Sequence, residues 1–190
     1  MQNNTTTNKK KLITTKTLVA GALCIAMSFV LSYIKLWEMP QGGSVTLMSM
    51  LPIFLFAYLY GIIPGLMAGF VYSILQFIQA PYFVSPLQFL LDYTIGFTAL
   101  GLAGLFAKLK APDMAKFTLG CAVAGLLRTA SSFLAGIIFY GEYAAPGQPV
   151  WLYSFLYNFP SLGTDTLICV VGAALLVGVG LVKRLKATTS

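Results

Sequence analysis

The sequence has no histidine, only five acidic residues and only three cysteines. Without histidine, the chain lacks the commonest general base and metal ligand of enzymes. Cys24, Cys121 and Cys169 lie singly inside apolar runs, which predicts small buried residues and neither a disulfide framework nor a metal site. Charged residues make up 9% of the chain, against about 25% in ordinary globular domains. These shortages exclude a soluble enzyme with a conventional charged surface.

Apolar segments of helix length fill most of the 190 residues, 58% of which are hydrophobic. A membrane span needs about 20 such residues. We predict an all-α integral membrane protein with one six-helix domain over residues 17–183, a mobile basic cytoplasmic tail over 1–16 and a cytoplasmic tail over 184–190. The predicted spans are 17–34, 45–60, 65–79, 87–107, 117–140 and 150–182, the last of them tilted or kinked near Pro160 and Gly163.

The distribution of basic residues predicts the orientation. If both termini are cytoplasmic, ten of the 12 Lys and Arg residues lie on the inner side, Lys35 lies in an outer loop, and Arg128 lies within a span. Such an excess on one side follows the positive-inside rule for cell-membrane proteins. The net charge of +7 is therefore explained by topology, and no nucleic-acid partner is expected.

Polar side chains recur in the outer halves of four predicted helices. Because polar groups facing lipid are costly, these side chains should face one another or a cavity. They either bond the helices together or line a ligand cavity open to the outside, and their common depth favours the cavity. The residues are Tyr72, Gln76 and Gln79; Ser85, Gln88 and Asp92; Ser131 and Ser132; and Ser154, Asn158 and Ser161, whose stripe continues to Asp165 nearer mid-membrane.

Asp92 is the only acidic residue in the outer half of a predicted span. Aromatic rings near a carboxylate attract a flat cation through their electron-rich faces. The alternative is that these aromatics are membrane-interface residues, as expected for Trp37. We predict a site for a small, flat, positively charged molecule, with candidate stacking residues Tyr72, Tyr82, Tyr140, Tyr153, Tyr157 and Trp151.

Two further features lie outside this site. Arg128 and Asp165 fall near mid-membrane on the fifth and sixth helices, where a mutual ion pair is the simplest prediction. Contact with a partner subunit or a part in proton movement remain alternatives. On the first helix, Ala22 and Ala26 have the small-xxx-small spacing that lets another helix approach closely.

Several segments, taken in order, resemble the thiamine-specific substrate-binding subunit, or S-component, of energy-coupling factor transporters. These segments are MPQGGSV (39–45), PLQFLLDY (86–93), AGIIFYGEYA (135–144) and PVWLYSFLYN (149–158). The resemblance implies a six-helix membrane protein that captures thiamine at the outer face and is not an enzyme. It also implies docking through Ala22 and Ala26 on a coupling subunit. Two cytoplasmic ATPases would drive release, so this chain itself would need no cofactor.

The resemblance also assigns ligand positions. An acidic residue is expected where Asp92 stands, and the direct matches are Tyr82, Tyr153 and Asn158. Tyr72 and Tyr140 stand at positions that can carry tryptophan in the family, so an aromatic ring is retained at both.

Ser132 departs from the family pattern, which often has histidine there. Because serine cannot stack on a ring, the ligand is either thiamine in a repacked site or a thiamine precursor or analogue. Two other functions compete. A proton-coupled secondary transporter could use Asp92 or the Arg128–Asp165 pair. A membrane enzyme is disfavoured because the chain has no paired carboxylates in one outer stripe and no phosphate-binding loop.

Overall fold

Helices account for nearly all of the structure, a computed structural model that describes residues 13–39 and 43–189. Most of the predicted tail 1–16, and residue 190 of the tail 184–190, lie outside these ranges. In chain order the elements are α1 (Thr15–Ser32), β1 (Lys35–Glu38), β2 (Ser44–Thr46), α2 (Leu51–Tyr60), α3 (Ile62–Gln79), α4 (Pro86–Lys108), α5 (Asp113–Phe139), α6 (Val150–Gly178) and α7 (Leu181–Thr189).

Within residues 13–39 and 43–189, five helices are long and apolar enough to cross a membrane: α1, α3, α4, α5 and α6, with 18, 18, 23, 27 and 29 residues. Their outer surfaces expose large apolar side chains, with Leu23, Ile78 and Leu167 each more than 60% exposed. A continuous apolar exterior of this kind is unfavourable in water and favourable in lipid. The chain is therefore an all-α membrane protein, apart from one short hairpin.

The second predicted span, 45–60, is wrong in its extent. Its first residues belong to β2, which pairs antiparallel with β1, and the helix α2 begins only at Leu51. β-branched Val45 and Thr46 suit a strand, and Met48 has a positive φ of 59° that an α-helix cannot continue through. With ten residues, α2 is about 15 Å long, half of a typical span.

Helix α2 lies at the centre of the bundle. Seven of its ten residues are buried, and it contacts each of the other helices. Ile53, Phe54 and Ala57 are completely buried. A helix that is apolar on all sides is stable only when other elements surround it, so α2 is a core helix around which the five longer helices pack.

The cysteines and potential metal ligands form no cluster in the described part of the chain. All three cysteines are unpaired; Cys121 and Cys169 are buried, as predicted, and Cys24 is half-buried. No group of three or more Cys, Asp and Glu side chains comes together within residues 13–39 and 43–189.

Two long helices contain a π-helical turn. In α4 it spans Leu90–Ile95, and in α6 it spans Phe159–Gly163. The second contains Pro160, which has no N–H to donate and so breaks the α-helical pattern; the predicted irregularity near Pro160 and Gly163 is confirmed. Such turns are frequent at functional sites. Helix α6 ends at Gly178, earlier than predicted, and Gly180, with φ 74°, turns the chain into α7.

Helix α7 is attached to the end of the bundle opposite the hairpin. Its Lys186 Nζ donates to Asp113 Oδ1 at 2.7 Å, and the same oxygen accepts from Tyr58 OH at 2.9 Å and pairs with Lys116 Nζ at 3.1 Å. Lys16 Nζ donates to the carbonyl of Thr188. These contacts join the start of α1, the end of α2, the start of α5 and α7.

Close packing of α4 against α3 yields a stability prediction. A Cβ on Gly101 would overlap the backbone of Leu66 and Gly65, whereas one on Gly178 would meet nothing within 4 Å. We expect Gly101→Ala to lower stability by about 1–3 kcal/mol, because backbone cannot move as a side chain can, and Gly178→Ala to leave stability unchanged. Thermal unfolding in detergent measures both, and equal midpoints would contradict the packing.

Candidate ligand-binding site

A cavity of about 350 Å³ opens at the end of the bundle that carries the hairpin. Ser32 at the end of α1, residues of both hairpin strands, the α3–α4 connection and helices α3 to α6 line it. Its volume is in the range of pockets that hold small organic ligands, about 300–1,000 Å³. The walls combine two carboxylates (Asp92 and Asp165), two basic side chains (Lys35 and Arg128), several tyrosine rings and a set of uncharged polar groups. This combination suits a ligand that is partly aromatic and partly polar.

Asp92 lies in the π-helical turn of α4 and faces this cavity. Its Oδ2 accepts hydrogen bonds from Gln88 Nε2 at 2.9 Å and from Tyr140 OH at 3.1 Å. Gln88 is 1% exposed, and its Oε1 accepts from the backbone N–H of Val84 at 3.2 Å. Hydrogen bonds to a charged acceptor are stronger than neutral ones, so these two bonds hold the carboxylate in one orientation in the cavity that Ser132 also lines.

Two stacked tyrosine pairs form aromatic walls. The rings of Tyr82 and Tyr140 lie 5.8 Å apart at 30°, and those of Tyr153 and Tyr157 lie 6.0 Å apart at 29°. The hydroxyls of Tyr82 and Tyr143 are 3.1 Å apart, and this hydrogen bond, with burial, raises the pKa of Tyr82 to about 12. The neutral phenol rings offer flat faces that attract a cation.

Asn158 lies where α6 packs closely against α5. Its Nδ2 donates to the carbonyl of Ser154 at 3.0 Å and to Ser154 Oγ at 3.2 Å, which leaves Oδ1 to act as an acceptor. A Cβ on Gly136 would overlap Ser154 Oγ, so glycine is required for this approach. The side chain is 8% exposed and lines the cavity with its neighbour Tyr157.

An ion pair lies deeper in the same cavity. Arg128 Nη1 is 3.5 Å from Asp165 Oδ2, which confirms the predicted pairing. The guanidinium also lies 4.2 Å above the ring centroid of Phe97, and Nη1 contacts Met50 Sδ at 3.0 Å. Asp165 is 1% exposed, and its other oxygen accepts from Thr46 at the end of β2. The pair therefore joins α5, α6 and the hairpin.

The structure brings six of the seven residues predicted as ligand-binding to this cavity: Tyr82, Asp92, Ser132, Tyr140, Tyr153 and Asn158. Tyr72 is instead completely buried in the core, where its hydroxyl donates to the carbonyl of Ser28 at 3.3 Å and its ring packs edge-on against Phe97. Trp151, another candidate stacking residue, is 56% exposed on the outside of α6. Both residues were predicted to face the ligand from their positions in the sequence alone. Those positions do not show which side of a helix its neighbours cover.

The polar stripes serve both of the alternative roles. Gln76, Gln79, Gln88 and Ser161 line the cavity. Ser131 Oγ donates to the carbonyl of Leu91 and Ser154 Oγ to that of Phe133, both at 2.7 Å. These two serines bond α5 to α4 and α6 to α5, and so stabilise helix packing around the site.

Sequence reasoning missed the hairpin as a wall of the site. Gly43, Ser44 and Thr46 line the cavity, but the sequence places the last of these inside an apolar run that resembles a helix. Tyr93 also lines the cavity beside Asp92. Adjacent residues of a regular helix point about 100° apart, so helical periodicity did not predict that both Asp92 and Tyr93 would line the cavity.

The fold and the cavity together define an integral membrane protein that binds a small, partly polar ligand at one end of a helical bundle. The chain belongs to the thiamine transporter protein family (Thia_YuaJ), whose model matches residues 18–183. Members of this family are membrane transporters, so the chain is not an enzyme.

Individual relatives match over most of their length. The chain is 33% identical to the thiamine transporter ThiT of Bacillus subtilis over 171 residues, 84% of this chain and 88% of that protein. It is 29% identical to ThiT of Lacticaseibacillus paracasei, with 90% of each covered. The solved structure of ThiT from Listeria monocytogenes superimposes with a TM-score of 0.74 at 25% identity, covering 86% of this chain and 94% of that one.

The buried ion pair makes a prediction about stability. Arg128→Met leaves the Asp165 charge buried without its partner, which we expect to cost about 3–5 kcal/mol. Adding Asp165→Asn should recover much of this loss, since an amide oxygen still accepts both hydrogen bonds from Thr46. Thermal unfolding in detergent of Arg128→Met, Asp165→Asn and the double variant, compared with wild type, forms a double-mutant cycle. Strictly additive losses would show that the two side chains do not stabilise each other.

Proposed function

We propose that this chain is the thiamine-binding S-component of an energy-coupling factor importer. The observation that carries the proposal is the placement of Asp92 among stacked tyrosine rings in a cavity of about 350 Å³. Thiamine joins a positively charged thiazolium ring to an aminopyrimidine, so it presents two flat rings, one cation and several polar edge atoms. Membership in the thiamine transporter protein family and the similarity to ThiT of two bacteria support the same ligand.

Each wall has a role in this proposal. The tyrosine pairs stack on the two rings of the ligand, and cation–π attraction adds to the burial of their faces. Asp92 accepts a hydrogen bond from the ligand and balances its positive charge, while Asn158 Oδ1 accepts from the pyrimidine amino group. Tyr72 is left out, because it is completely buried outside the lining.

Ser132 keeps the alternative ligand open. A serine beside Asp92 leaves one wall without the ring that the family often has there, so a thiamine precursor or analogue is the second candidate. The stacked pair Tyr82 and Tyr140 supports thiamine, because it supplies an aromatic face close to the same carboxylate.

The proposed orientation is that of a six-helix protein with both termini in the cytoplasm and the cavity open to the outside. The hairpin end carries Lys35, whereas the opposite end carries Lys16, Lys116 and Lys186. That asymmetry follows the positive-inside rule. Helix α2, although short, serves as the sixth helix in the core of the bundle.

Docking on a coupling subunit is proposed through α1. Ala22 and Ala26 are both exposed on this helix, one turn apart on the same face. Small exposed residues let a partner helix approach closely in lipid. Two ATPases bound to that coupling subunit would use ATP, and this chain would use none.

A stand-alone proton-coupled transporter remains the second candidate function. The buried Arg128–Asp165 pair favours it, because ionisable residues inside membranes often move protons. The two functions differ in energy source. Uptake into vesicles that requires ATP and the partner subunits supports the importer, whereas uptake driven by a proton gradient with this chain alone supports the secondary transporter.

Thiamine binding should depend on the charge of Asp92. Removing one member of a buried charged pair, here Asp92 with the cationic ligand, costs about 2–5 kcal/mol of binding free energy. Asp92→Asn should therefore raise the Kd for thiamine by about 30-fold or more. Glu142→Gln is the matched control, because this acid is exposed outside the cavity. Isothermal titration calorimetry suits the measurement, since neither tryptophan is part of the described lining. If thiamine does not bind, separate titrations with its pyrimidine and thiazole precursors test the second ligand.

Large side chains on α1 should block docking on the coupling subunit without changing the affinity for thiamine. Ala22→Trp together with Ala26→Trp should lower ATP-dependent uptake by about tenfold or more, because two indoles prevent close helix approach. The Kd for thiamine should stay as in wild type. Leu167→Trp controls for a bulky side chain elsewhere, since Leu167 is 62% exposed on α6. Wild-type uptake by the double variant would exclude this face as the docking surface.

A further inference from the structure

The inner strand of the hairpin is attached to α6 through one buried carboxylate. Asp165 Oδ1 accepts from the backbone N–H of Thr46 at 3.1 Å and from the Thr46 hydroxyl at 2.9 Å. That hydroxyl is also 2.6 Å from Ser49 Oγ. Thr46, Ser49 and Asp165 are each at most 5% exposed. Low exposure strengthens hydrogen bonds to a charged acceptor, because water cannot compete for them.

Both oxygens of Asp165 are committed to the protein. Oδ1 holds Thr46, and Oδ2 is 3.5 Å from Arg128 Nη1. Arg128 is in turn fixed by the ring of Phe97 and by Met50. A carboxylate with these partners has little capacity left to bind a ligand, although it borders the cavity. Its contacts instead join two long helices to the strand that forms a wall of the site.

The hairpin needs such an attachment. All four residues of β1 are exposed, so this strand contributes little packing, while Ser44 and Thr46 of β2 line the cavity. Nearer the turn of the hairpin, the backbone N–H of Gly43 donates to Tyr157 OH at 3.3 Å. Two residues after the end of β2, Met48 adopts a positive φ of 59°, a conformation that is costly for a residue with a side chain. The position of β2 therefore depends on contacts with its neighbours.

We propose that Asp165 is a positioning residue that, through Thr46, holds β2 against the cavity and slows the escape of the bound ligand. The ligand does not touch Asp165, and the ion pair with Arg128 keeps the carboxylate in place. The identity of the ligand, thiamine, is taken from the proposed function. The mechanism rests on the hydrogen bonds between Thr46 and Asp165.

Thr46→Val tests this directly. Valine has the shape of threonine, but its side chain cannot donate to Asp165, so only the backbone hydrogen bond of residue 46 remains. The buried Arg128–Asp165 pair stays intact, whereas Asp165→Asn would disturb that pair as well. Thr166→Val is the matched control. Thr166 is the next residue after Asp165, is equally buried at 5% exposure, and donates its hydroxyl to the carbonyl of Leu162 at 2.8 Å.

We expect Thr46→Val to raise the dissociation rate of thiamine by about tenfold, the effect of losing one hydrogen bond to a charged group. Stopped-flow displacement of bound radiolabelled thiamine from purified protein measures this rate. The thermal midpoint should fall no further than in Thr166→Val. A dissociation rate equal to wild type, or the same increase in both variants, would overturn the proposal.

A second measurement does not need a ligand. Trp37 on β1 reports on the hairpin, and Trp151→Phe removes the other tryptophan. Time-resolved fluorescence anisotropy should show a larger amplitude of fast Trp37 motion in Thr46→Val than in Thr166→Val. Equal amplitudes would overturn the anchoring role. If wild type binds no thiamine while Trp37 becomes more mobile, the proposed ligand fails and the anchor stands.

Discussion

A charge inside an apolar bundle must be paired or hydrogen-bonded, and the arrangement of this protein depends on how the buried Asp165 and the half-buried Asp92 meet that requirement. Asp165 is neutralised by Arg128 and hydrogen-bonded to Thr46. Asp92 accepts hydrogen bonds from Gln88 and Tyr140 on the same oxygen. The first aspartate is fully used by the protein, and the second retains capacity for a ligand. This difference separates a structural carboxylate from the one proposed to bind the ligand within a single cavity.

Helix irregularities make these placements possible. The π-helical turn of α4 contains Asp92, and that of α6 follows Asn158 directly. Each turn widens the helix and changes which side chains share a face. The short helix α2 has a related effect, because it starts only at Leu51 and leaves residues 44–46 to form a strand. A bundle of six uninterrupted helices would not have this strand as a wall.

The two ends of the bundle differ in their polar contacts. At the cavity end, the polar groups are mainly tyrosines, amides and hydroxyls. At the other end, Asp113 is surrounded by Lys116, Lys186 and Tyr58, which attach α7 to the bundle. The surface proposed for docking on α1 is separate from the cavity, since the exposed Ala22 and Ala26 lie outside its lining.

Composition and periodicity by themselves determined the class of protein, the approximate helices and the pairing of Arg128 with Asp165, because lipid exposure and buried charge constrain residues through simple spacing rules. They also selected Asp92 and most of the side chains around it. Only the tertiary structure decided that Tyr72 is buried in the core, that Trp151 faces outward and that residues 44–46 form a strand against the cavity. The physical reason is that the face of a helix that meets a cavity depends on its neighbours and on π-helical turns. The hairpin, in turn, is stabilised by contacts with distant residues, such as that between Thr46 and Asp165, which lie 119 positions apart in the sequence.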